Sequence, residues 1–99
     1  MKDQLTIADV SNQLLSGGYL RKCAELSSPV FDVLSQADRL VDEGRYSQAL
    51  SLLVLVTAAI RASINDVDDL LGALQLISAA QDFVTRLQLT DIISGAVNA

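Results

Sequence analysis

Residues 49–60 read ALSLLVLVTAAI, twelve consecutive positions of which only Ser51 and Thr57 are polar. The run follows directly on the turn-like Gly44-Arg45-Tyr46 and reads as the body of a helix over residues 47–64. A helix that is apolar all round has to be covered all round. In a chain of 99 residues that leaves two arrangements. Either the other helices surround this one, or a second polypeptide completes the cover. The twelve-residue run is shorter than the roughly 20 residues that span a bilayer, so a core helix is expected here and no membrane partner.

The whole chain supports a packed interior. Its composition is 51% hydrophobic with a mean hydropathy of +0.37, which places it among globular chains, and its length corresponds to a single helical domain over residues 1–99. A small domain leaves a large share of its surface in water, so this apolar richness argues for self-association or a bound partner. Twelve acidic residues against seven basic ones give a net charge of −5. The basic residues Lys2, Arg21, Lys22, Arg39, Arg45, Arg61 and Arg86 are scattered, and no basic stripe is available to neutralise phosphates. Nucleic acid and anionic membrane are therefore not expected partners. One cysteine, Cys23, cannot close an internal disulfide, and residues 1–5 lack the apolar run of a signal peptide, so a reduced, cytoplasmic setting is the expectation.

Outward from the central run, punctuation divides the chain into helices. Thr6 with Asp9 three positions on forms a variant capping box for a first helix over Ile7–Ser16, with Ile7, Val10 and Leu14 as its inner stripe. Gly17-Gly18 stops or kinks it. Residues 19–26 then form either a short helix, with Tyr19, Leu20, Cys23 and Ala24 inward, or a distorted continuation of the first. Ser27-Ser28-Pro29 is the entry to a second helix, a serine N-cap followed by proline at the first helical position. That helix carries Val30, Val33, Leu34, Ala37, Leu40 and Val41 inward and turns Asp32, Gln36, Asp38, Arg39 and Glu43 to solvent. Gly44 stands where a left-handed C-cap belongs. The connection after it is short enough to make the second and third helices antiparallel neighbours.

Asn65-Asp66 caps a fourth helix whose first turn holds Asp68 and Asp69 near the positive end of its dipole. Its expected inner stripe is Val67, Leu70, Leu71, Leu74, Ile77, Val84 and Leu87. The other face, with Ala73, Leu76, Ala80 and Phe83, is also mostly apolar, and Leu76, Ala80, Phe83 and Leu87 are the candidate partner interface. Thr90 is expected to cap a short last helix around residues 91–96. The predicted fold is all-α: an antiparallel bundle of four main helices plus a short C-terminal helix, with the third helix at its centre and Leu53 and Val56 most deeply buried.

The second turn also resembles a tetratricopeptide repeat. That family joins its α-hairpin through Gly-x-Tyr/Phe-x-x-Ala, and Gly44, Tyr46 and Ala49 occupy those places, with Ala37 and Leu40 at the packing positions before them. The resemblance covers residues 33–56, about a quarter of the chain. Val33 stands where the family has an aromatic residue, the proline that ends a repeat is missing, and no second copy follows at the family's period of about 34 residues. The resemblance implies a tetratricopeptide-like hairpin over residues 30–64 and protein or peptide binding in a helical groove. The nearest family parallel is the small chaperones of bacterial secretion systems.

Chemistry is poorly supplied. The chain has no histidine and no tryptophan, so Cys23 has no imidazole to activate it. Neighbouring Arg21 and Lys22 leave a reactive thiol as the alternative reading, a cysteine-based redox sensor or enzyme. Counted from Asp66, the fifth and sixth positions of a calcium loop are Leu70 and Leu71, which removes that reading. No catalytic residues, cofactor, metal or small-molecule substrate are expected. The expected function is a non-enzymatic interaction module, adaptor or chaperone-like, that forms a homodimer or binds a partner's helix.

Overall fold

The computed structural model describes the backbone of residues 6–98 and the side chains of residues 6–95; the reading of residues 1–5 lies outside that span. The fold is all-α, with four main helices: α1 (Ile7–Ser16), α2 (Ser27–Asp42), α3 (Tyr46–Ser63) and α4 (Val67–Asn98). They run up and down. The Tyr19 ring beyond α1 packs on Gly72 near the start of α4, the Cys23 thiol before α2 reaches the end of α3, and Ser47 on α3 meets Gln88 late in α4.

Local chemistry explains most of the boundaries. Thr6 and Asp9 form the full capping box at α1. Gly44 adopts φ +79° and closes α2 with two bonds, its own N–H to the Val41 carbonyl (3.0 Å) and the Arg45 N–H to the Leu40 carbonyl (2.8 Å). That is a Schellman cap. A Cβ added at Gly44 would touch nothing within 4 Å, so Gly44→Ala isolates the backbone cost of the left-handed conformation. Urea denaturation of that variant is expected to show a loss of about 1–2 kcal/mol. Asp66 caps α4, accepting the Asp69 N–H at 3.1 Å.

The start of α2 differs from expectation. Residues Arg21–Leu26 form a 3-10 helix with a kink at Cys23 (φ −132°, ψ 53°), and this runs into α2 so that Leu26, not a serine, stands at the N-cap. Ser27, Ser28 and Pro29 fall inside the first turn, where proline's missing N–H costs nothing. Leu20 is buried and Tyr19 and Cys23 are half-buried, but Ala24 is exposed.

The core is a set of stripes: Ile7, Val10 and Leu14 from α1, Val30, Leu34 and Ala37 from α2, Ala49, Leu53, Val56 and Ile60 from α3, and Ala73, Ile77, Ala80 and Val84 from α4. Leu53 and Val56 are buried as expected. The stripe of α4 is the expected one only in part: Ile77 and Val84 are buried and Leu70 and Leu74 pack against the core, but Val67 and Leu71 are largely exposed while Ala73 and Ala80 turn inward. The cause is steric. Gly72 receives the Tyr19 ring so closely that a Cβ there would lie well inside contact distance, and Ala73 and Ala80 let the neighbouring backbones approach, leaving the larger leucines as flanks.

Two further corrections concern arrangement. α3 does not sit at the centre: it packs against α2 and α4, while α1 packs between the same two helices on the opposite corner. Three neighbours, one of them only ten residues long, cannot enclose a fourth helix. The last helix is also not separate. α4 continues unbroken for 32 residues, because nothing between Val84 and Ser94 interrupts the ladder and each added residue contributes a hydrogen bond. At about 1.5 Å per residue it spans roughly 48 Å, which accounts for the 50 Å long dimension of the molecule. Its last turns overhang the shorter helices.

Candidate functional site

α3 presents two faces. Its inner stripe is fully covered by α2 and α4, yet on its outer side Val54 is 59% exposed and Leu55 is 56% exposed, with Ala58 and Ala62 also open to solvent. Beside Leu55, an apolar groove of about 190 Å³ runs between α2 and α3, walled by Leu26, Pro29 and Val33 on one side and Ala59 on the other. Small residues on the α3 ridge would let another helix approach closely. The overhang of α4 adds Leu89, Ile92 and Ile93, spaced i, i+3, i+4 and all exposed.

The apolar run sits within an 18-residue helix, so α3 as a whole is long and apolar enough to cross a membrane by length and composition (mean hydropathy 1.3). Within the bundle 22% of that helix is buried, through its inner stripe of Ala49, Leu53, Val56 and Ile60. That stripe is packed against α2 and α4, and Gln48, Ser51 and Arg61 lie on the exposed side.

The residues expected as the partner interface are divided by the structure. Ala80 is completely buried, because the inner stripe of α4 is rotated towards its alanines, and so belongs to the core. Leu76 and Phe83 are partly buried against that core, and Leu87 is half-buried. By helical spacing they share the flank of Gly72, the side towards Tyr19 and α1. Val54 and Leu55, both more than half exposed, belong to the run that signals surplus apolar surface.

At the opposite end of the bundle, Tyr19, Lys22, Cys23, Ser63 and Asp66 line a pocket of about 270 Å³. The half-buried Cys23 thiol donates to the Ser63 carbonyl at 3.0 Å, a bond that only the protonated sulfur makes. Lys22 is engaged with Asp66 at 3.8 Å, both side chains being well exposed, and a pair so solvated contributes little. The Asp69 N–H holds the Asp66 carboxyl below the ordinary carboxylate range, with help from Lys22. Among the described residues, no three His, Cys, Asp or Glu side chains come together as a metal site. Asp66, Asp68 and Asp69 serve α4 as its cap and first turn. Comparison of the chain with protein-family models, characterised proteins and solved structures finds no match.

Proposed function

We propose that this chain is a small non-enzymatic protein-interaction module, adaptor or chaperone-like, whose α2–α3 hairpin packs its outer face against a helix of another polypeptide, most simply a second copy of itself. The observation that carries the proposal is the uncovered side of α3, on which Val54 and Leu55 are more than half exposed in the single chain. Contiguous apolar surface of this kind marks interaction sites, and a twofold arrangement places the same patch on both partners. The groove beside Leu55 and the resemblance of Gly44, Tyr46 and Ala49 to a repeat-type binding hairpin support the same reading.

The alternative, a redox sensor or enzyme at Cys23, draws support from the pocket that Cys23 lines. A paired comparison separates them. On the interaction reading, Cys23→Ser leaves self-association and partner capture unchanged and a charge placed at Leu55 abolishes them. The reverse pattern favours the cysteine.

A further inference from the structure

A second pocket lies between α1 and α2, away from the outer face of α3. It measures about 110 Å³, with Ile7 and Leu34 on its inner side and Ser11, Asn12, Ser35 and Asp38 as its polar lining. Small-molecule sites usually occupy roughly 300–1,000 Å³, so this one suits a group the size of a side chain. Two features of the pocket are uncompensated. Ser11 is only 7% exposed, and its hydroxyl has no hydrogen-bond partner, which is unusual for a buried polar group. Asp38, expected on the solvent side of α2, is instead half-buried and forms no ion pair among the described residues. Burial, and then the neighbouring Asp42, push its carboxyl above the ordinary range. Both effects penalise a charge that a bound cation would offset.

The chemistry of the lining selects the ligand. A carboxylate with hydroxyl and amide oxygens nearby offers acceptors in surplus, and Phe31, 49% exposed at the same pocket, adds an aromatic ring of the kind that attracts cations. An anion would be repelled by Asp38, and a purely apolar group would leave Ser11 and Asp38 unpaired. We propose that the α1–α2 pocket receives a cationic side chain, the ammonium of a lysine or the guanidinium of an arginine, from a partner protein. The interaction-module reading supplies the source of that side chain, while the cation site itself is tested independently of the α3 face.

The test uses the full-length chain and three probes of equal backbone: the Nα-acetyl methylamides of lysine, arginine and norleucine, with n-butylammonium as a free amine. Amide resonances of Ala8, Ser11, Asn12, Ser35 and Asp38 are followed by NMR during titration. Saturable shifts confined to these residues are expected with lysine or arginine in the millimolar range, and none with norleucine. Butylammonium carries the same ammonium on the same four-carbon stem and is expected to bind comparably to the lysine probe; failure of butylammonium to bind would show that the shifts arise from the probe backbone and would overturn the side-chain assignment. Asp38→Asn is expected to weaken binding at least fivefold and Asp82→Asn, an exposed carboxylate on α4, to leave it unchanged. Ser11→Ala is expected to weaken binding while raising the thermal midpoint, because the unpartnered hydroxyl is removed. Equal shifts with norleucine, or full retention of binding in Asp38→Asn, would overturn the proposal. Loss of the α3-dependent association alone would leave it standing.

Discussion

Leu53→Ala is expected to lower the unfolding free energy by about 2–5 kcal/mol. Leu53 lies midway along α3, is completely buried and belongs to the stripe that packs against α2 and α4, the two most extensive helix pairings in the molecule. Truncation removes methyl groups from a site where both neighbouring helices are held by short connections, so the space left behind closes only partly. Urea denaturation followed by circular dichroism measures the loss. Leu55→Ala on the same helix is the internal comparison, because two positions onward the side chain is 56% exposed. In a single protomer that change should fall within about 0.5 kcal/mol. A larger loss at Leu55 that grows with protein concentration would show that a second copy covers it.

The second large effect concerns association. The double variant Val54→Glu, Leu55→Glu is expected to keep the helical content of the parent and to weaken self-association at least a hundredfold, about 2.7 kcal/mol. Both side chains already face water in the single chain, so the fold has little reason to object. In an isologous contact every substitution appears on both partners, and like charges brought together across an interface cost several kcal/mol. Sedimentation velocity across a concentration series measures the change. An unaltered dimer in the double variant would place the interface elsewhere, with the Leu89, Ile92 and Ile93 overhang as the next surface to charge.

Much of the fold is legible in particular residues. Thr6 and Asp9, Gly44, and Asp66 each specify a boundary through a short-range bond that depends on residue type, and the structure forms all three. The stripes of α1 and α2 follow from spacing alone. In α4 periodicity finds Ile77 and Val84, which are buried, but it ranks positions by hydrophobic bulk and so passes over Ala73 and Ala80, which turn inward, and Gly72, whose place depends on Tyr19 more than fifty residues away. The entry to α2 differs because the 3-10 helix runs straight into it: the Ala24 carbonyl accepts the Ser27 N–H, and no side-chain cap is formed at Leu26. The candidate site was legible only as a surplus. Residues 49–60 announce a helix with too few partners, but which face stays open depends on where α1 and α4 pack, and this placed Val54 and Leu55 outside and Ala80 inside. Asp38 and Ser11 were not legible as neighbours, since only the packing of α1 on α2 brings them to one pocket.

The account turns on what covers the outer face of α3. Light scattering of the purified chain, coupled to size-exclusion chromatography over a range of concentrations, addresses this directly. The account predicts a mass twice that of the 10.6 kDa chain at micromolar concentration, falling towards the single-chain value on dilution and in the Val54→Glu, Leu55→Glu variant. A mass fixed at 10.6 kDa at every concentration, with no binding of a dye that reports exposed apolar surface, would contradict it.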